Sequence, residues 1–329
     1  MKNIFIIEFY NYSPILETGL EIAQRELIKK NNVSYFFLGH SVIEKDSRMI
    51  FFYRKKNNFI LNFFAPEKKG CKLLSKYKNF NFDLNLKLKN YSFSIPKFKN
   101  IEQIKNFWYE NFDVGFSAYY LSLNSNNQNQ FLLKNLILSA LNVSKNLEII
   151  LKKKKPDIVY IYNSRFIHNR AIYFLCKKLK IKCLIYERGP SLKKFKISDL
   201  AIHDKKNFEN KINLYWKKFK NKKKYYNMVN SFFNDRINDI FKLQNDISFS
   251  RGKNLNFLTN DKIIAYFTSS KEEVDSVSEE YLTYFKNESL FIKNLLKIAK
   301  FKNFKVLIKI HPNLINKDSS YLEYYKKMQ

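Results

Sequence analysis

Pro156-Asp157-Ile158-Val159-Tyr160-Ile161-Tyr162-Asn163-Ser164-Arg165 opens a stretch that closes with Ile181-Lys182-Cys183-Leu184-Ile185-Tyr186 and Glu187-Arg188-Gly189-Pro190. Residues 157–162 and 181–186 are short apolar runs rich in Ile, Val and Tyr, as buried strands are. The residues between them, 165–179, carry apolar positions at helical spacing. A strand, a helix and a strand of these lengths predict a parallel βαβ unit. The same grammar recurs at the amino end. Residues 3–9 predict a buried strand. Residues 15–29 predict a helix with Leu16, Leu20, Ala23, Leu27 and Ile28 on one side. Residues 33–38 predict a second strand ended by Gly39.

Between these units, Ile50–Tyr53 and Phe59–Phe64 are candidate short strands. The stretch after Gly70 is polar, aromatic and weakly periodic. Residues 101–109 read as a short helix, 124–130 as an Asn-rich loop and 131–151 as a long helix. Residues 204–245 are largely helical, with Lys, Tyr and Phe interleaved. Lys262–Phe267 and Lys305–Ile310 are strands flanking a helix over about 285–300, a further βαβ unit. Ser270 and Glu273 stand at capping-box spacing between them, and Tyr321–Lys327 reads as a short final helix. The fold class is therefore α/β. The organisation is a first domain over 1–251 with a helical insert, a linker at 252–260, and a second α/β domain over 261–329.

The bulk properties limit function. Among 329 residues, 60 are basic and 29 acidic, a net charge of +31. Such a charge suits nucleic acid, an anionic membrane surface or anionic sugars. The basic residues are mostly Lys and are spread along the chain. No zinc spacing, RNA-binding aromatic signature or long basic tail accompanies them, so specific nucleic-acid binding is not predicted. Cys71, Cys176 and Cys183 have neither disulfide nor zinc spacing. Their odd number and the lack of a secretory signature predict a cytoplasmic protein, with peripheral membrane association left open. The chain has no Gly-x-Gly-x-x-Gly, P-loop, His-Glu-x-x-His, Gly-x-Ser-x-Gly or kinase signature. It also has no Asp-x-Asp metal site, so neither a metal nor a bound cofactor is predicted.

In an open α/β fold, ligand groups gather at the carboxyl ends of the strands. His311-Pro312 follows the strand 305–310 directly, and Thr268-Ser269-Ser270 follows its parallel neighbour. His311 can donate to phosphate or ribose oxygens or act as an acid. Ser269 and Ser270 can meet a phosphate near a helix amino end, with Lys309 two residues before the histidine. In the first domain, Asn163, Arg165, His168 and Arg170 cross one strand-to-helix junction, and Glu187 and Arg188 end the next strand. Arg165 suits a carboxylate or phosphate. Glu17 and Glu21, four apart, share a face of the first helix. Glu17 lies near its amino end, a suitable place for a general base acting on a hydroxyl.

Six of these segments, taken in order, resemble one family. They are Leu16-Glu17-Thr18-Gly19-Leu20-Glu21; Tyr162-Asn163-Ser164-Arg165-Phe166 with Asn169-Arg170-Ala171; Glu187-Arg188-Gly189; Ile202-His203-Asp204 with Trp216; Phe267-Thr268-Ser269-Ser270; and Lys309-Ile310-His311-Pro312. Together they resemble the bacterial capsule and surface polysaccharide biosynthesis proteins, relatives of the GT-B glycosyltransferases that include Kdo transferases. The resemblance implies a GT-B-like molecule of two Rossmann-like domains. The first would take a glycan or glycolipid acceptor, and the second a nucleotide-sugar donor, with CMP-linked sugars among the candidates. The nucleotide-sugar is a co-substrate, not a cofactor. Glu17 and His311 would then be catalytic. Ser269, Ser270, Lys309 and His311 would hold the donor. Asn163, Arg165, Arg170, Glu187 and Arg188 would line the substrate cleft. The implied setting is the inner face of the cytoplasmic membrane, beside polysaccharide assembly machinery. The family pattern continues past His-Pro with further strands and a Ser- and Gly-rich loop. The expectation here is thus an incomplete second domain, and the alternative is a non-catalytic glycan- or partner-binding relative of such enzymes.

Overall fold

The computed structural model describes residues 1–11, 14–39, 41–42, 66–122, 129–189, 194–201, 205–219, 223–237, 262–268, 288–310 and 323. The candidate strands at 50–53 and 59–64, the capping pair Ser270 and Glu273, and all but Glu323 of the final helix lie outside these residues. The chain divides into two compact units, Met1–Phe241 and Lys242–Gln329.

The first unit is built on a six-stranded sheet. Its strands are β1 (Asn3–Glu8), β2 (Asn32–Phe37), β3 (Phe80–Asp83), β4 (Ile158–Tyr162), β5 (Lys182–Arg188) and β6 (Phe195–Ser198). Their spatial order is β3-β2-β1-β4-β5-β6. The first five are parallel, and β6 pairs antiparallel with β5. The central strands β1 and β4 are covered on both faces, which is why they read as continuous apolar runs. Ile4, Ile6, Ile7, Val159 and Ile161 are all fully buried. Each contributes about 2 kcal/mol of burial.

Helix α1 (Ile15–Ile28) follows β1 and buries Ile15, Leu16, Ile22, Ala23 and Leu27. Leu20 is only partly covered, and Ile28, expected on the buried face, is exposed. Ile28 is the last helical residue, where the chain already turns toward β2. Four elements carried no clear local signal in the sequence: α2 (Pro66–Leu74), β3, α4 (Val114–Ser122) and β6. A Gly sits inside α2 and another inside α4, which weakens both helical patterns. The expected 101–109 helix stops early, as α3 (Ile101–Lys105).

Helix α5 (Gln130–Lys154) is capped by the Asn129 side chain, which accepts from Leu132 N. It ends on Lys155, held left-handed at φ 44° and ψ 61°. Glycine is the residue that adopts this conformation without penalty. Lys155→Gly is expected to stabilise the protein by about 0.5–1 kcal/mol, read as a higher urea midpoint with an unchanged slope.

Helix α6 (Ile167–Lys178) packs along α5 and returns the chain to β5. Strand β5 runs two residues beyond expectation, through Arg188, because β6 pairs with its end as Glu187↔Lys196 and Arg188↔Phe195. Helices α7 (Lys205–Phe219) and α8 (Lys223–Ile237) fill most of the expected helical insert.

In the second unit, β7 (Ile263–Phe267) and β8 (Lys305–Lys309) pair in parallel. Helix α9 (Glu288–Phe301) lies between them in sequence and buries Ile292 and Ala299, with Phe291 against Tyr266 at 4.9 Å. Both units are thus α/β. Among the described residues, no helix is long and apolar enough to cross a membrane.

Candidate functional site

The strand order of the first unit reverses direction at β1. From there β2 and β3 extend to one side, and β4 and β5 to the other. The carboxyl edge at such a point forms a crevice, because the connecting helices leave on opposite faces. Four segments end there: Glu8 from β1, the start of α1, Asn163–Arg165 after β4, and Glu187–Arg188 from β5.

Glu187 organises one side of this edge. Its carboxylate accepts from Tyr162 Oη at 3.2 Å, from the Asn163 amide at 2.6 Å and from Arg188 N at 3.1 Å. Burial pushes its carboxyl above the usual range, while these bonds and the nearby Arg165 charge pull it back. Asn163 has φ 33°. Asn tolerates this left-handed angle because its side chain can bond its own backbone. Here Asn163 Oδ1 accepts from Arg165 N at 3.0 Å. The turn thereby leads the chain off β4 and sets Arg165 half-buried at the edge, near Glu187. Backbone strain of this kind collects at functional sites.

Glu8 organises the other side and was not singled out from sequence. It is fully buried at the end of β1. Its carboxyl group accepts from Phe9 N at 3.0 Å and Tyr10 N at 3.3 Å, and it bonds the Tyr186 hydroxyl. Burial pushes its pKa up to about 8. The Tyr35 hydroxyl is buried beside it with no hydrogen-bond partner among the described residues. Helix α1 crosses above this group at Gly19. A Cβ on Gly19 would stand 3.0 Å from Tyr186 Oη and 3.4 Å from Glu8 Oε2. Glycine therefore allows α1 to lie down on the buried carboxyl. The available signal was an acidic residue closing an otherwise apolar strand.

Glu17 is exposed in the first turn of the same helix. It forms no ion pair among the described residues, whereas Glu21 is bound by Arg25 at 2.5 Å. Arg188 is half-buried at the end of β5. Gly189 is needed for close approach, since the Lys194 carbonyl lies 2.3 Å from where a Cβ would be; its φ is not left-handed.

Arg170 is placed differently from its neighbours. It points into the protein and pairs with buried Asp113 through two bonds, Nε to Oδ1 at 2.8 Å and Nη2 to Oδ2. His168 is buried as well, against Ser139 Oγ at 2.9 Å. Comparison with protein-family models and with curated proteins finds no match to this chain. In the second unit, Lys309 closes β8 and is exposed, and Thr268 is buried with its N–H on the Lys309 carbonyl. Ser269, Ser270 and His311 lie outside the described residues, as do His203 and Asp204. Among the described residues, no group of three His, Cys, Asp or Glu side chains could hold a metal ion.

Proposed function

We propose that this chain is a glycosyltransferase of surface polysaccharide synthesis, GT-B-like in plan. The six-stranded unit would serve the acceptor and the second unit the nucleotide-sugar donor. The observation that carries the reading is the polar group at the carboxyl edge of β4 and β5, Glu187 with Asn163 and Arg165, together with exposed Glu17 in the first turn of the helix that follows β1. The ordered resemblance of six short segments supports it.

The chemistry assigned to these groups is one substitution. An acceptor hydroxyl oxygen attacks the anomeric carbon, and the carbon–oxygen bond to phosphate breaks. The nucleotide leaves with the electron pair, and Glu17 receives the hydroxyl proton. Arg165 and Arg188 supply positive charge to an anionic acceptor, and Glu187 and Asn163 orient hydroxyls. Ser269, Ser270, Lys309 and His311 would hold the donor phosphate and nucleotide. Glu17→Gln is expected to lower sugar transfer about 100-fold or more while nucleotide binding is retained. Transfer at the wild-type rate would remove Glu17 from the reaction.

The same reading places the protein at the inner membrane face. On α7, Ile212, Tyr215 and Trp216 are exposed along one stripe, with Lys217 and Lys218 alongside. Aromatic side chains beside lysines suit an anionic interface. Vesicles containing phosphatidylserine should sediment the protein and purely zwitterionic vesicles should not, and Trp216→Ala should weaken the association. Equal binding to both vesicle types would contradict this placement.

A further inference from the structure

Away from the crevice, the first unit contains a cavity of about 200 Å³ between α5, α6 and two loops. It is built by identifiable contacts. The extended segment after β3 is tied to α5 by two asparagines one helical turn apart. Asn146 accepts from Lys89 N at 2.8 Å and donates to the Lys89 carbonyl at 2.8 Å. Asn142 accepts from Tyr91 N at 2.7 Å. Beyond Tyr91, the segment lines the cavity with Ser92 and Phe93. The opposite loop is closed by reciprocal backbone bonds of 3.0 Å between Tyr109 and Phe112. Glu110 at its tip is held at φ 51°.

The lining has three parts. The base is apolar: Leu141, Ala171 and Leu175. The walls are aromatic, with Phe93 edge-on to Tyr109 at 5.8 Å and Phe112 against Phe174 at 5.4 Å. The rim carries two cations and two carboxylates, already joined. Lys178 bonds Glu110 at 2.7 Å and Glu148 at 3.2 Å, and Lys145 lies 3.6 Å from Glu148. From outside the lining, Lys152 also pairs with Glu148 at 2.9 Å. In a chain of net charge +31, the four lining groups themselves are balanced in charge.

We propose that this cavity is a binding site for a neutral saccharide unit. A pyranose ring has an apolar face that packs on aromatic walls and hydroxyls at its edge. The rim offers fixed acceptors on Glu110 and Glu148 and donors on Lys145 and Lys178. Charge-assisted bonds of that kind are strong and directional. A charged ligand would have to part an existing ion pair, which favours a neutral one. The site differs from the crevice and does not depend on sugar transfer there.

The test is saturation-transfer NMR of the full chain with methyl glucoside, methyl galactoside and N-acetylglucosamine, beside glucuronate and glucosamine as charged controls. At least one neutral sugar is expected to bind at millimolar concentration, ahead of both charged controls. Asn111→Trp, at an exposed lining position, should block the mouth, and Phe93→Ala should remove a wall. Each should weaken binding about tenfold, with circular dichroism confirming the fold. The absence of neutral-sugar binding, a preference for a charged sugar, or unchanged binding in folded Asn111→Trp would each overturn the proposal.

Discussion

Replacing Glu8 with glutamine is expected to make the protein more stable at neutral and mildly alkaline pH and to flatten its stability across the range from 4.5 to about 8. The folded-state carboxyl is raised to about 8 because burial disfavours its charge. In the unfolded chain it ionises near 4.5. Below that value both states hold the proton, and this group's contribution is fully present. As pH rises, the unfolded state ionises first, and stability falls by about 1.4 kcal/mol per pH unit. The loss ends near pH 8 and reaches on the order of 5 kcal/mol as an upper bound. Hydrogen bonds from Tyr186, Phe9 N and Tyr10 N oppose the rise, and burial outweighs them. Glutamine keeps an acceptor for Phe9 N and Tyr10 N, and its amide can donate to the Tyr186 hydroxyl. Urea unfolding of both proteins across this range checks the prediction. A Glu8→Gln protein that loses stability with pH as steeply as the parent would refute it.

The second large effect concerns Arg170 and Asp113. Either single alanine substitution is expected to cost about 3–5 kcal/mol, because it leaves the partner charge buried and alone. The double replacement Asp113→Leu with Arg170→Met should recover most of that loss, since both desolvation costs disappear together. The pair joins the start of α4 to the first turns of α6, and Ser117 Oγ donates to the Asp113 carbonyl at 3.0 Å. Breaking it should also loosen the junction that carries Arg165. A thermodynamic cycle over the four proteins measures this, and additive losses would show that the two side chains are not coupled.

The elements legible in the sequence were those whose patterns are local. β1, α1, β2, β4, α6, β5, β7 and β8 each carry an unbroken apolar run or a helical stripe. β3 was hidden because it has four residues and only Phe80 is buried. β6 forms only because it pairs with the end of β5, and its four residues, none of them buried, are too few to give a local pattern. The crevice was partly legible. Asn163, Arg165, Glu187 and Arg188 all follow strands, which is where chemistry is sought. Their mutual bonds depend on β4 and β5 being neighbours. The engagement of Arg170 was invisible, because Asp113 lies 57 residues away in sequence with no local signal. Glu8 was passed over because one acid in an apolar run reads as the end of a strand. Its importance comes from Gly19 and Tyr186 converging on it.

The most direct test of the proposed function is thermal protection of the full chain by CMP, UDP and GDP at millimolar concentration. A ligand that binds only the folded state raises the melting temperature in proportion to its occupancy. The account predicts a rise with one nucleotide above the other two, lost in His311→Ala and retained in Glu17→Gln. No rise with any of the three would contradict a sugar-nucleotide enzyme and favour a glycan-binding protein without transfer activity.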